Sequence, residues 1–81
     1  MKLQKIKCSK ENLSFLDNTQ MNIILNSFCE YIYINNINDL IIKEFKDLNN
    51  SDHSRFVVNI GKNLFSSDNL ESIKSKITHL K

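Results

Sequence analysis

Cys8, Cys29, His53 and His79 are the side chains whose chemistry reaches furthest beyond packing and charge. Cys with His is a metal-ligand set, and a Cys beside a His is a nucleophile–base pair. The spacing supports neither. Ligands that share a metal come in close pairs such as C-x-x-C or H-x₃-H, and this chain has no such pair. Cys29 lies among apolar residues and reads as a small buried hydrophobe, where a thiol is a poor nucleophile. With one Gly, the sequence has no G-x-S-x-G, no phosphate-cradling loop and no dinucleotide fingerprint. The carboxylates interleave with Lys, as on any solvated surface. No catalytic, cofactor or metal residue is assigned, and the chain reads as a non-enzymatic binding protein.

Charge is the next source of chemistry. The net value of +2 is too small to imply nucleic acid by itself. Its distribution is uneven: residues 1–10 hold four Lys and no acid, residues 11–54 hold seven acids against Lys43 and Lys46, and residues 55–81 turn basic again. The acidic middle, Asp39, Glu44, Asp47 and Asp52, suits a partner with a basic, nucleic-acid-handling surface. Apolar residues off the main helical stripes, Ile23, Tyr33, Ile34, Val58 and Phe65, would anchor that partner. This reading makes the protein an inhibitor, antitoxin or immunity-type module, or a phage-encoded modulator, acting on a protein partner or as a homodimer. The alternative is a helix-turn-helix DNA-binding regulator. Its C-terminal helix would offer Lys74, Lys76 and His79, with Arg55 and Lys62 on the backbone.

These residues need elements to position them. Asn18 to Ile34 places Met21, Ile24, Leu25, Phe28, Cys29 and Ile32 on one face at 100° per residue, so the pattern predicts a long central helix. Asp17 and Gln20 stand in capping-box spacing at its start, and Ser9 can cap a short turn before it. Ile37, Leu40, Ile41, Phe45 and Leu48 predict a second helix over 37–48. Residues 52–65 favour a helix with Phe56, Val57, Ile60 and Leu64 on one face. The alternative there is a strand at Arg55–Ile60 with a turn at Gly61–Asn63. Asp68 and Glu71 cap a last helix carrying Leu70, Ile73, Ile77 and Leu80. The expected fold is an all-α compact bundle of three to five short helices. An α+β fold with strands near 31–34 and 55–60 is the alternative, and residues 1–8 read as an extended arm or edge strand.

The chain of 81 residues is one domain, near the lower size limit for a single unstapled core. It has no Pro or Trp and is rich in Asn, Ile, Lys and Ser, as an AT-rich genome imposes. Residues 1–10 lack the apolar run of a signal peptide, and polar residues break the most apolar segment before it could span a membrane. A cytoplasmic location, of the cell or of an infected host cell, with both thiols reduced, is therefore expected.

Overall fold

The computed structural model describes residues 2–35, 40–46, 49 and 53–78. It is an α+β fold, not the helical bundle that the periodicity predicts. Five strands, β1 (Gln4–Lys7), β2 (Tyr31–Ile34), β3 (Ile41–Lys46), β4 (Ser54–Ile60) and β5 (Asn63–Ser67), form one antiparallel sheet in the order β1-β2-β3-β4-β5. Helix α1 (Asn18–Asn26) lies between β1 and β2 in sequence, and α2 (Leu70–Thr78) follows β5. The reading as a small helical protein is thereby corrected.

The reason for the error lies in the central strands. A strand with one buried face alternates apolar and polar residues, but one covered on both faces reads as a continuous apolar run. In Tyr31-Ile32-Tyr33-Ile34, Ile32 is buried under α1 and Tyr33 is buried on the opposite face. The same holds in β3, where Ile42 belongs to one core and Ile41 and Phe45 to the other. Runs of this kind mimic helical spacing by accident.

Three predicted helices change accordingly. The central helix stops at Asn26 instead of continuing to Ile34. Of the helix expected over 37–48, Ile41–Lys46 is strand, and residues 37–39, 47 and 48 lie outside the described residues. The segment 52–65 is not a helix: Ser54–Ile60 and Asn63–Ser67 pair as a hairpin, Ile60 facing Asn63 across Gly61 and Lys62. Gly61 has φ +63°, the left-handed value that a two-residue hairpin turn requires and glycine meets without a Cβ clash. Two strands of the α+β alternative, near 31–34 and 55–60, coincide with β2 and β4.

Local signals at helix starts fare better. The Asp17 carboxylate accepts the Gln20 N–H at 2.7 Å, and the Ser9 hydroxyl accepts the Asn12 N–H at 3.1 Å. At α2 the cap is Asn69 and not Asp68: its side-chain oxygen accepts the Glu71 N–H at 2.9 Å. Gln4–Lys7 forms the edge strand β1, paired to β2 from Gln4 facing Ile34 to Lys7 facing Tyr31.

The sheet separates two cores. Leu13, Ile24, Cys29 and Ile32 are buried on the α1 face. Tyr33, Ile42, Val58, Ile73 and Ile77 are buried on the α2 face. Between α1 and β2 the chain turns at Phe28, which takes φ +62° and is 92% exposed. The position just past a helix C-cap favours glycine, because a Cβ crowds the backbone in the left-handed region. Phe28→Gly relieves that crowding and gives up no packing, so it should raise stability by about 1 kcal/mol. A urea midpoint that stays level or falls would show that the ring contributes contacts of its own.

Candidate functional site

Strand register fixes which side chains share a face. On the α1 side, Phe45 stands opposite Arg55, Lys43 opposite Val57, Val57 opposite Ser66, and Asn59 opposite Leu64. The apolar cluster beneath α1 draws on β1, β2 and β3 and stops there. The outward residues of β4 and β5 on this face are therefore left in solvent. Arg55, Asn59 and Ser66 are exposed, Val57 is half-buried, and Leu64 is 65% exposed.

This open part of the sheet is bordered by α1. Between them runs a cleft of about 330 Å³ lined by Gln20, Ile23, Ile24, Leu40, Ile41, Lys43 and Asn59. Ile23 stands on its rim, 55% exposed. Lys43 is half-buried and lines the same cleft. At the other end, Arg55 Nη1 donates to the Ser66 hydroxyl at 3.4 Å, which holds the guanidinium along the sheet. Arg55 also lines a second cavity, of about 560 Å³, with Lys46, His53 and Asp68. Lys62 is exposed at the β4–β5 turn. Arg55 to Asn59 spans about 13 Å at strand rise. No carboxylate lies on the sheet surface or in the smaller cleft among the described residues; Asp68 borders only the Arg55 end.

The opposite face has a second open area. Here α2 packs on β4 and β5; Tyr33 of β2 is buried in that core, while the β1 side of the face lies beyond the helix. There the Lys5 ammonium lies 4.3 Å from the Tyr31 ring centroid and 5.8 Å from that of Tyr33. Such an arrangement is a cation–π contact that shields aromatic surface.

The residues proposed from sequence are dispersed. Glu44 is 8% exposed; its carboxylate accepts the Tyr33 hydroxyl at 2.5 Å and the Ser54 hydroxyl at 3.3 Å. It therefore belongs to a buried polar network and not to an acidic surface, and Asp39, Asp47 and Asp52 lie outside the described residues. Tyr33 and Val58 are buried in the α2-side core, with Phe65 packed half-buried against it, and Ile34 packs half-buried on the α1 side. Ile23 alone of the apolar set is well exposed. Arg55 and Lys62 lie on and beside the open sheet. Lys74 is ion-paired with Glu71 at 3.3 Å, and Lys76 lies 5.0 Å from the Phe65 ring. His79 lies outside the described residues. Because 54–60 and 63–67 are strands, the helix-turn-helix geometry is not built.

Two features escaped the sequence. Lys43 and Asn59 join Arg55 only through strand register, which no linear pattern reveals. Cys8 and Cys29, separated by 21 residues, meet at the end of β1, with their sulfurs 3.5 Å apart. Cys29 Sγ also donates to the Tyr31 carbonyl at 3.0 Å. Among the described residues no three His, Cys, Asp or Glu side chains converge as metal ligands. Also among them, no helix is long and apolar enough to cross a membrane. Comparison of the chain with known protein families, curated proteins and solved structures finds no match.

The buried acids set an alkaline limit on stability. Burial, helped by the neighbouring Cys29, pushes the Cys8 thiol up to about 12 from 9.0. Desolvation also raises Cys29, and desolvation with the Glu44 hydrogen bond raises Tyr33. Each group therefore holds its proton more tightly folded than unfolded. The stability this supplies is complete below the unfolded thiol value and drains away as pH climbs from about 9 towards 12. Urea midpoints measured under reductant should fall from pH 8 to pH 10.5, with a shallower fall in Cys8→Ser. A flat profile would contradict the burial of these protons.

Proposed function

We propose that the protein binds single-stranded nucleic acid on the open α1-side surface of β3, β4 and β5. The observation that carries this reading is the composition of that surface. Lys43 and Arg55 bring positive charge, with Lys62 at the adjoining turn; Asn59 and Ser66 bring hydrogen-bonding groups; Val57, Leu64 and Ile23 bring apolar area. Cations positioned along a groove take phosphates, amide and hydroxyl side chains meet sugar and base edges, and aliphatic side chains lie against base faces.

A single strand fits better than a duplex. Reading a major groove needs a helix or ribbon that projects from the body. Here α2 lies flat, with Ile73 and Ile77 buried against the sheet, and its lysines are engaged by Glu71 and Phe65. The open sheet is a shallow surface on which an unpaired strand can lie with its bases spread. A cytoplasmic location, where such strands are exposed, belongs to the same reading.

Binding to a protein partner is the second reading, favoured by Ile23 and Leu64, which flank the same surface at 55% and 65% exposure. Salt separates the two. A strand held through about three phosphates should lose affinity with a slope near −2 in log–log form, about 20-fold between 50 and 200 mM salt. Fluorescence anisotropy with short single-stranded DNA and RNA should give micromolar dissociation constants at low salt. The Lys43→Glu, Arg55→Glu pair should weaken binding at least 10-fold, while Lys74→Glu, Lys76→Glu should leave it within 2-fold. Absence of binding at low salt, or equal loss in both pairs, would remove the nucleic-acid reading and leave Ile23 and Leu64 as anchors for a protein.

A further inference from the structure

We propose that Cys8 and Cys29 form a redox site that closes to an intramolecular disulfide in the presence of a low-molecular-weight disulfide. The two sulfurs lie 3.5 Å apart in the reduced protein, so bond formation needs a closing movement of about 1.5 Å to the usual S–S length. The strands bring them together. Cys8 N–H donates to the Glu30 carbonyl at 3.0 Å, extending the β1–β2 ladder one step beyond Lys7 and Tyr31, and Cys29 immediately precedes Glu30. Proximity is thus built into the sheet and does not depend on a chance encounter of loops.

The two thiols differ in access, and this sets the order of events. Cys8 is half-buried and Cys29 buried. The Cys8 thiolate attacks one sulfur of the reagent disulfide; the reagent S–S bond breaks, a mixed disulfide forms at Cys8 and one reagent thiolate leaves, taking up a proton. The Cys29 thiolate then attacks the Cys8 sulfur and expels the second reagent thiol. Two protein thiols lose two electrons and two protons, and one reagent disulfide becomes two thiols. Both thiols are protonated at neutral pH and burial raises them further, so the exchange is slow there and speeds up as pH rises.

The crosslink would enclose residues 8–29, the whole segment that covers the α1 face, including the Ser9 turn, buried Leu13 and α1 itself. In the unfolded chain, closing such a loop is costly in entropy; in the folded chain it is already closed. Folding should therefore strengthen the disulfide by the same factor that the disulfide strengthens folding, about two orders of magnitude for a loop of this length.

The experiment is equilibration of the full chain in mixtures of reduced and oxidised glutathione at pH 8, native and in guanidinium chloride, with acid quench and intact mass. The expected native product is a monomer lighter by two hydrogens, restored by dithiothreitol. Its equilibrium constant should exceed that of the denatured chain by about 100-fold. Cys8→Ser should retain one free thiol under the same conditions. A native constant equal to or below the denatured one would overturn the proposal. So would products that stop at the glutathione adduct or at covalent dimers.

Discussion

A helix of nine residues is about 13 Å long and roughly 10 Å across, while five strands side by side span about 20 Å. Neither helix can cover the sheet that it packs against. The chain's solution is to place them on opposite faces and at opposite ends: α1, with the turns of residues 9–16, over β1 to β3, and α2 over β4 and β5. The middle strands β2 and β3 send residues into both cores, Ile32 and Ile41 on the α1 face and Tyr33 and Ile42 on the α2 face. Among the described residues, two diagonal areas of sheet lie beyond the reach of the helices.

They are finished with long cationic side chains. On the α2 face, Lys5 lies across Tyr31 and Tyr33; on the α1 face, Lys43 and Arg55 border Val57 and Leu64. Such residues cover apolar atoms with their stems while keeping charge in water, which is what a half-covered sheet demands. The same finish protects the β1 edge, where exposed Lys5 and Lys7 oppose pairing with another strand. Structural need alone accounts for the α2-side patch, because its cation is already engaged with a ring. On the α1 side, the hydrogen bond that Arg55 makes among the described residues is to the Ser66 hydroxyl, and the surface beside it keeps apolar area exposed. That difference is why the functional proposal rests on one area and not the other.

How far the sequence reveals this arrangement depends on the range of the interaction. Caps are local, and Asp17 and Ser9 perform as their spacing implies. Glycine at a hairpin turn is local too, and Gly61 marks the joint of β4 and β5. Burial on two faces is not local: Tyr31 to Ile34 look like the last turn of a helix because nothing in four residues states that a second layer lies behind them. Glu44 shows the same effect in reverse. Among Lys43, Lys46 and Asp47 it reads as solvated charge, yet the alternation of β3 turns it inward to the Tyr33 hydroxyl. The candidate site is less legible still, because Lys43, Arg55, Asn59 and Ser66 become neighbours only when three strands are in register.

The cysteines join these two scales. Eighty-one residues give a core with little stability to spare, split here into two smaller cores by the sheet. The α1-side core is closed by a segment that leaves the sheet after β1 and returns at β2, so it is the part of the fold with the longest excursion from the ladder. Its two ends are held by the Cys8–Glu30 hydrogen bond and by the packing of Leu13 and Ile24. A pair of thiols at that closure stands where a covalent link would reduce the freedom of the unfolded chain most directly. The crowded backbone of Phe28, one residue before Cys29, lies at the same joint. Backbone strain and paired thiols thus share the point where α1 is tied to the sheet.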